Sequence, residues 1–127
     1  MKLYKTQHEV DTFEFASTGT VAIGLPAKLG ANGIAVSTSG PEYLIIGKKS
    51  VPSSTSAPVL VHPIKEDELY SAVLGTNFTP TIGSTYGLAL DSTATKISVS
   101  SSTAASGFKV VGVSGTASGS VVIGKIL

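Results

Sequence analysis

The apolar residues of this chain come in short runs of three to five, bounded mostly by Gly, Ser, Asn or Pro before a helix could be completed. A strand buried on one or both faces needs only such a short or alternating run. An amphipathic helix needs apolar positions recurring roughly every three to four residues over ten or more. Gly, Ser and Thr supply 46 of the 127 residues, a composition that suits turns and pleated strands. Strands are expected near 19–25, 32–37, 43–48, 58–64, 69–75, 86–91, 95–100, 107–114 and 119–126. The one segment with helical composition is IKEDELYSAV at 64–73. Its Ile64, Glu68 and Tyr70 share no apolar stripe, whereas the alternation of Leu69, Ser71 and Val73 predicts a strand.

The C-terminal half reads most clearly. In YGLALD, Tyr86, Leu88 and Leu90 fall on one face; in TKISVS, Ile97 and Val99 do so while Lys96, Ser98 and Ser100 point away. Asp91-Ser92-Thr93-Ala94 between them predicts a hairpin. A second antiparallel ribbon is expected from GFKVVGV and GSVVIGKIL. Their adjacent β-branched residues imply strands buried on both faces, or on one face by the core and on the other by a subunit interface. Short strands with turn signals every eight to twelve residues and no helix between them make the fold class all-β, a small barrel or β-sandwich of antiparallel strands. Residues 49–58, KSVPSSTSAP, predict an exposed Ser- and Pro-rich loop inside a single β domain spanning 17–127. Residues 1–16 contain no glycine and read as an extended N-terminal arm, with Tyr4, Val10, Phe13 and Phe15 as apolar anchors for a partner or a neighbouring copy.

Composition removes several function classes. With no cysteine there is neither thiolate catalysis nor a cysteine metal site. All nine basic residues are lysine, balanced by eight acidic ones to a net charge of +1. Without arginine the chain lacks the bidentate clamp used on phosphates and guanine edges, and with no tryptophan and eight other aromatics it offers few stacking platforms; nucleic acid is not an expected partner. No apolar stretch approaches the ~20 residues of a membrane-spanning helix, so no membrane partner is expected. The opening MKLYKTQHEVDTFEF lacks an uninterrupted apolar core, which argues against a secretory leader.

No catalytic, cofactor or metal site is expected. His8 and His62 have no second ligand at metal spacing, and His62, between Val61 and Pro63, reads as a partly exposed strand residue, with a His62–Asp or His62–Glu pair made by the fold as the lesser alternative. Glu66, Asp67 and Glu68 form the only acidic run and read as a solvated turn between two strands. Neither a phosphate-binding glycine loop nor a Gly-x-Ser-x-Gly elbow is present.

From residue 57 onward the succession SAPVLVHPI, LYSAVLG, TPTIGSTYGLALDSTATKISVS, GFKVVGV and GSVVIGKIL resembles the small β-rich head decoration, or cement, proteins of tailed bacteriophages, with a weaker echo in the N-terminal half. What carries the resemblance is architectural: a hairpin, a Ser/Thr-rich turn, an f-x-V-v-G strand and a Val/Ile-rich last strand. It implies a non-enzymatic virion protein, made in the host cytoplasm, that binds the outer capsid surface. Its implied partners are the major capsid protein and neighbouring copies of itself, as a homo-oligomer with a trimer as the family's common form. Other virion β-domains, in tail tubes, head-completion complexes or fibres, share this composition, and a carbohydrate-binding domain is the more distant alternative.

Overall fold

The computed structural model describes residues 1–5, 13–16, 21–48, 58–92 and 96–127. It is all-β, and its described residues form eleven strands: β1 (Lys2–Lys5), β2 (Phe13–Ala16), β3 (Pro26–Gly30), β4 (Gly33–Val36), β5 (Tyr43–Lys48), β6 (Pro58–Pro63), β7 (Leu69–Val73), β8 (Thr85–Leu90), β9 (Ile97–Thr103), β10 (Phe108–Val113) and β11 (Val121–Ile126). They make two antiparallel sheets. The first has the order β1-β7-β11-β10-β8-β9 and the second β2-β6-β5-β3-β4. The chain therefore starts in the larger sheet, builds the smaller one, and returns to the larger through the passage from β6 to β7.

The larger sheet curls towards closure. Just past the end of β7, Leu74 makes a parallel bridge to Val99 of β9, and the Gly75 N–H donates to the Val99 carbonyl at 3.0 Å. Five strands thus surround one interior, and strict alternation fills it: Tyr70 and Ala72, Val122 and Ile126, Phe108 and Val110, Tyr86 and Leu88, Ile97 and Val99 are all buried. The buried side chains of the smaller sheet, among them Ala27, Ile34, Leu44, Ile45, Val59 and Val61, belong to the same continuous core. Both predicted ribbons are present, as β8–β9 and β10–β11, and residues 69–73 are a strand. The β10 and β11 strands are buried on one face only, because the other face lies outside the curled sheet.

Four turns share one hydrogen-bond pattern. In 22–25, 65–68, 81–84 and 117–120 the fourth residue's N–H donates to the first residue's carbonyl, at 3.3, 3.3, 3.1 and 3.0 Å, and the next residue opens β3, β7, β8 or β11. Gly24, Gly83 and Gly119 hold the third position with φ of 92°, 92° and 87°, a left-handed conformation that side chains resist. The turn at 22–25 corrects the strand expected over 19–25. Gly24 turns the chain there, and the strand begins at Pro26.

Residues 1–16 are extended in their described parts, and these parts pair within the fold: β1 with β7 and β2 with β6, each closing a sheet edge. Unpaired edge N–H and C=O groups of β7 and β6 thereby find partners. The expected loop over 49–58 lies outside the described residues except Pro58, which opens β6.

Gly124 tests the interior packing. A Cβ there would collide with the Lys109 carbonyl and stand 2.6 Å from Phe108 Cε1. Gly124→Ala is expected to cost about 3 kcal/mol, the upper range for overpacking a closed core, read as a lower urea midpoint at unchanged slope. A change within a few tenths of a kcal/mol would mean that the Phe108 ring is not wedged against β11.

Candidate functional site

The buried polar side chains among the described residues are His62 and Glu68, and they meet. The β6 strand is covered on both sides at its far end. Val59 and Val61 face one side of the sheet and His62 the other, where Leu44 is its register neighbour on β5. After Pro63 the chain turns through Lys65–Glu68 and enters β7, which delivers Glu68 back against His62. The imidazole Nε2 and Glu68 Oε2 lie 2.8 Å apart, with both side chains sealed from solvent. Glu68 Oε1 has no hydrogen-bond partner, and its nearest cation is Lys65 Nζ at 3.9 Å, itself partly exposed. Two expectations are corrected here: His62 is not partly exposed, and Glu68 does not belong to a solvated turn. Glu66 and Asp67 do face water. Glu68, last in the turn, is rotated inward by the same geometry that starts β7.

Tyrosines anchor two of these turns. The Lys65 N–H donates to the Tyr70 hydroxyl at 3.3 Å and the Thr81 N–H to the Tyr86 hydroxyl at 2.9 Å, five residues back in both cases. The resemblance to a tyrosine corner is one of logic: a core ring sends its polar tip back to tie down the turn before it. The two hydroxyls differ electrostatically. Burial, opposed by the Lys65 N–H and aided by the negative charges of Glu68 and Asp67, pushes Tyr70 up to about 12. The Thr81 N–H favours the phenolate of Tyr86 and lowers it.

Of the four arm residues singled out in the sequence, Phe13 and Phe15 lie side by side in β2. Tyr4 lies in β1, and Val10 is outside the described residues. Phe15 is half-buried and meets the Tyr43 ring edge-on at 5.4 Å, so it is committed to its own sheet. Phe13 stacks on Phe15 at 6.5 Å and remains exposed. The sequence offers a His62–Glu pair only as the lesser alternative and does not select Glu68, because contact across six residues needs the intervening turn. The spacing shared by KEDELY and TIGSTY, which places both tyrosines identically after a turn, is a sequence signal for the turn but not for the pair.

Chemically, a dyad closed to solvent has no route to a substrate. Two grooves among the described residues, one between Met1, Ile23, Val73 and Lys96 and one along the β3–β4 hairpin, are lined by neither His62 nor Glu68. Among the described residues no cluster of three metal-ligating side chains occurs. No family model, curated protein or solved structure matches the chain.

Removing one partner of a buried pair strands the other. Glu68→Ala or His62→Ala is expected to cost about 3–5 kcal/mol, and the double replacement by Leu to recover most of it, measured by urea unfolding. A loss under about 1 kcal/mol for Glu68→Ala, the range of exposed pairs, would contradict the burial. Tyr70 supplies a second test. Its raised folded-state value means that the unfolded chain releases the phenolic proton first, so its contribution is intact below about pH 10 and lost as pH rises towards about 12. The loss is on the order of 1 kcal/mol per pH unit. Tyr70→Phe should flatten the alkaline fall in stability, whereas parallel curves for variant and wild type would exonerate Tyr70.

Proposed function

We propose that this chain is a non-enzymatic structural protein of a tailed-phage particle that binds the outer capsid surface alongside copies of itself and reinforces it. The observation that carries the reading is a division between inside and outside. Among the described residues the buried polar side chains are bound to each other, while large apolar side chains stand in water: Ile23 is 62% exposed and Ile82 59%, each beside the left-handed glycine of an equivalent turn. Chemistry is shut in and apolar anchors are presented, which is the pattern of a surface made for contact. The succession of strand and turn motifs from residue 57 onward, with its resemblance to cement proteins, supplies the identity of the partner.

A protein of this kind acts through number. Each copy binds the intact mature shell more tightly than the ruptured one, and the difference accumulates over the lattice. A differential of about 1 kcal/mol per copy, roughly fivefold in affinity, suffices when many copies act together.

Purified protein added to particles lacking it is expected to bind to a stoichiometric limit and to raise the temperature at which the particles release their genome. Electron microscopy should place it on the head. Absence of binding, or density confined to tails, would replace this reading with the tail-module alternative.

A further inference from the structure

The strands β7–β11 contain no aspartate or glutamate, and their only charged residues are Lys109 and Lys125. These two are direct register partners on β10 and β11, and both leave the curled sheet on its outer face, since Phe108, Val110, Gly124 and Ile126 turn inward. Like charges opposed across a strand pair destabilise the sheet, and here the strands bring no carboxylate to offset them. Beside this pair the outer face is β-branched where a water-facing sheet would be polar. Val73 and Val121 are register partners, 38% and 45% exposed, and Val111, in the β10 bulge, is 40% exposed. Val111 adjoins the lysine pair, while Val73 and Val121 lie about 13 Å further along β11; a repelling pair and bare valines along one face contradict local stability, and such conflicts mark places shaped for something other than folding.

We propose that the outer face of the β10–β11 pair is a docking surface for a carboxylate-bearing patch of a different protein, with Lys109 and Lys125 pairing its acids and Val73, Val111 and Val121 covering its apolar surround. Under the function proposed above, on which this assignment rests, that protein is the shell subunit. Charge complementarity selects the occupant. A second copy docked face to face would oppose lysine to lysine, because a two-fold interface presents the same patch twice. Nucleic acid is disfavoured because the aromatic rings of these strands, Tyr70, Tyr86 and Phe108, are buried inside, which leaves the face without stacking platforms, and two lysines without arginine hold few phosphates.

The test is co-sedimentation of the full chain with bare particles across a salt series, comparing wild type, Lys109→Glu/Lys125→Glu, Lys125→Glu alone, and Lys28→Glu on β3 as a control for charge reversal elsewhere. Wild-type binding should weaken with salt, the double reversal should weaken it at least tenfold, and Lys28→Glu should leave it unchanged. Lys125→Glu alone carries the sharpest expectation: it turns a repelling pair into an attracting one, so its melting temperature should rise while its binding falls. That opposition of signs would not arise from a lysine pair with a purely structural role. Undiminished binding by the double reversal overturns the face and leaves the capsid reading standing. Loss of binding on nuclease treatment overturns it in favour of nucleic acid. A wild-type dimer that the reversals dissociate overturns it in favour of self-association. If wild type fails to sediment with particles at all, the capsid reading falls and this assignment with it.

Discussion

The passage from β6 to β7 is the constraint on which the rest of the structure depends. It is where the chain leaves the smaller sheet for the larger one, and it is held at three points. His62 at its start bonds Glu68 at its end, the turn between them closes through the Glu68 N–H and the Lys65 carbonyl, and Tyr70 ties the same turn from the first strand beyond it. A buried imidazole–carboxylate pair with one orphaned oxygen adds little net stability, because desolvation offsets the attraction. What it does supply is register. A one-residue slip of β7 would turn Tyr70 outward and leave His62 buried without Glu68, so alternative pairings carry a heavy penalty.

With β7 set, the larger sheet follows. β11 pairs along it, β10 along β11 and β8 along β10, while Leu74 meets Val99 to bring the last strand round. The interior accepts only one arrangement of large and small residues, with Gly124 making room for Phe108. Stability therefore resides inside this curled sheet, and the crossover sets its register. The outer face of β10 and β11 carries a lysine pair and half-exposed valines instead.

Much of the fold was legible in the sequence because strand alternation is a local signal. Tyr86 and Leu88, Ile97 and Val99, and Phe108 and Val110 announce their burial by period alone, and the hairpins follow from the turn residues between them. Pro26–Gly30 was missed because PAKLG has neither alternation nor β-branched residues; pairing with β4 and β5 makes it a strand. Glu68 was misread for a related reason. Three consecutive acids look solvated, and only the turn geometry decides that the third points inward. The two lysines were visible as residues but not as a pair, since their opposition depends on a register shifted by the β10 bulge.

The central claim is that the crossover makes the two sheets one cooperative unit. Native-state hydrogen exchange along a series of urea concentrations tests it directly. The slowest amides of β5 and β6 should share one free energy of opening with those of β7 and β11, and the two sets should fall together as urea is raised. If the β5 and β6 amides instead open at a distinctly lower free energy, with β7–β11 still protected, the sheets fold independently and the His62–Glu68 crossover does not couple them.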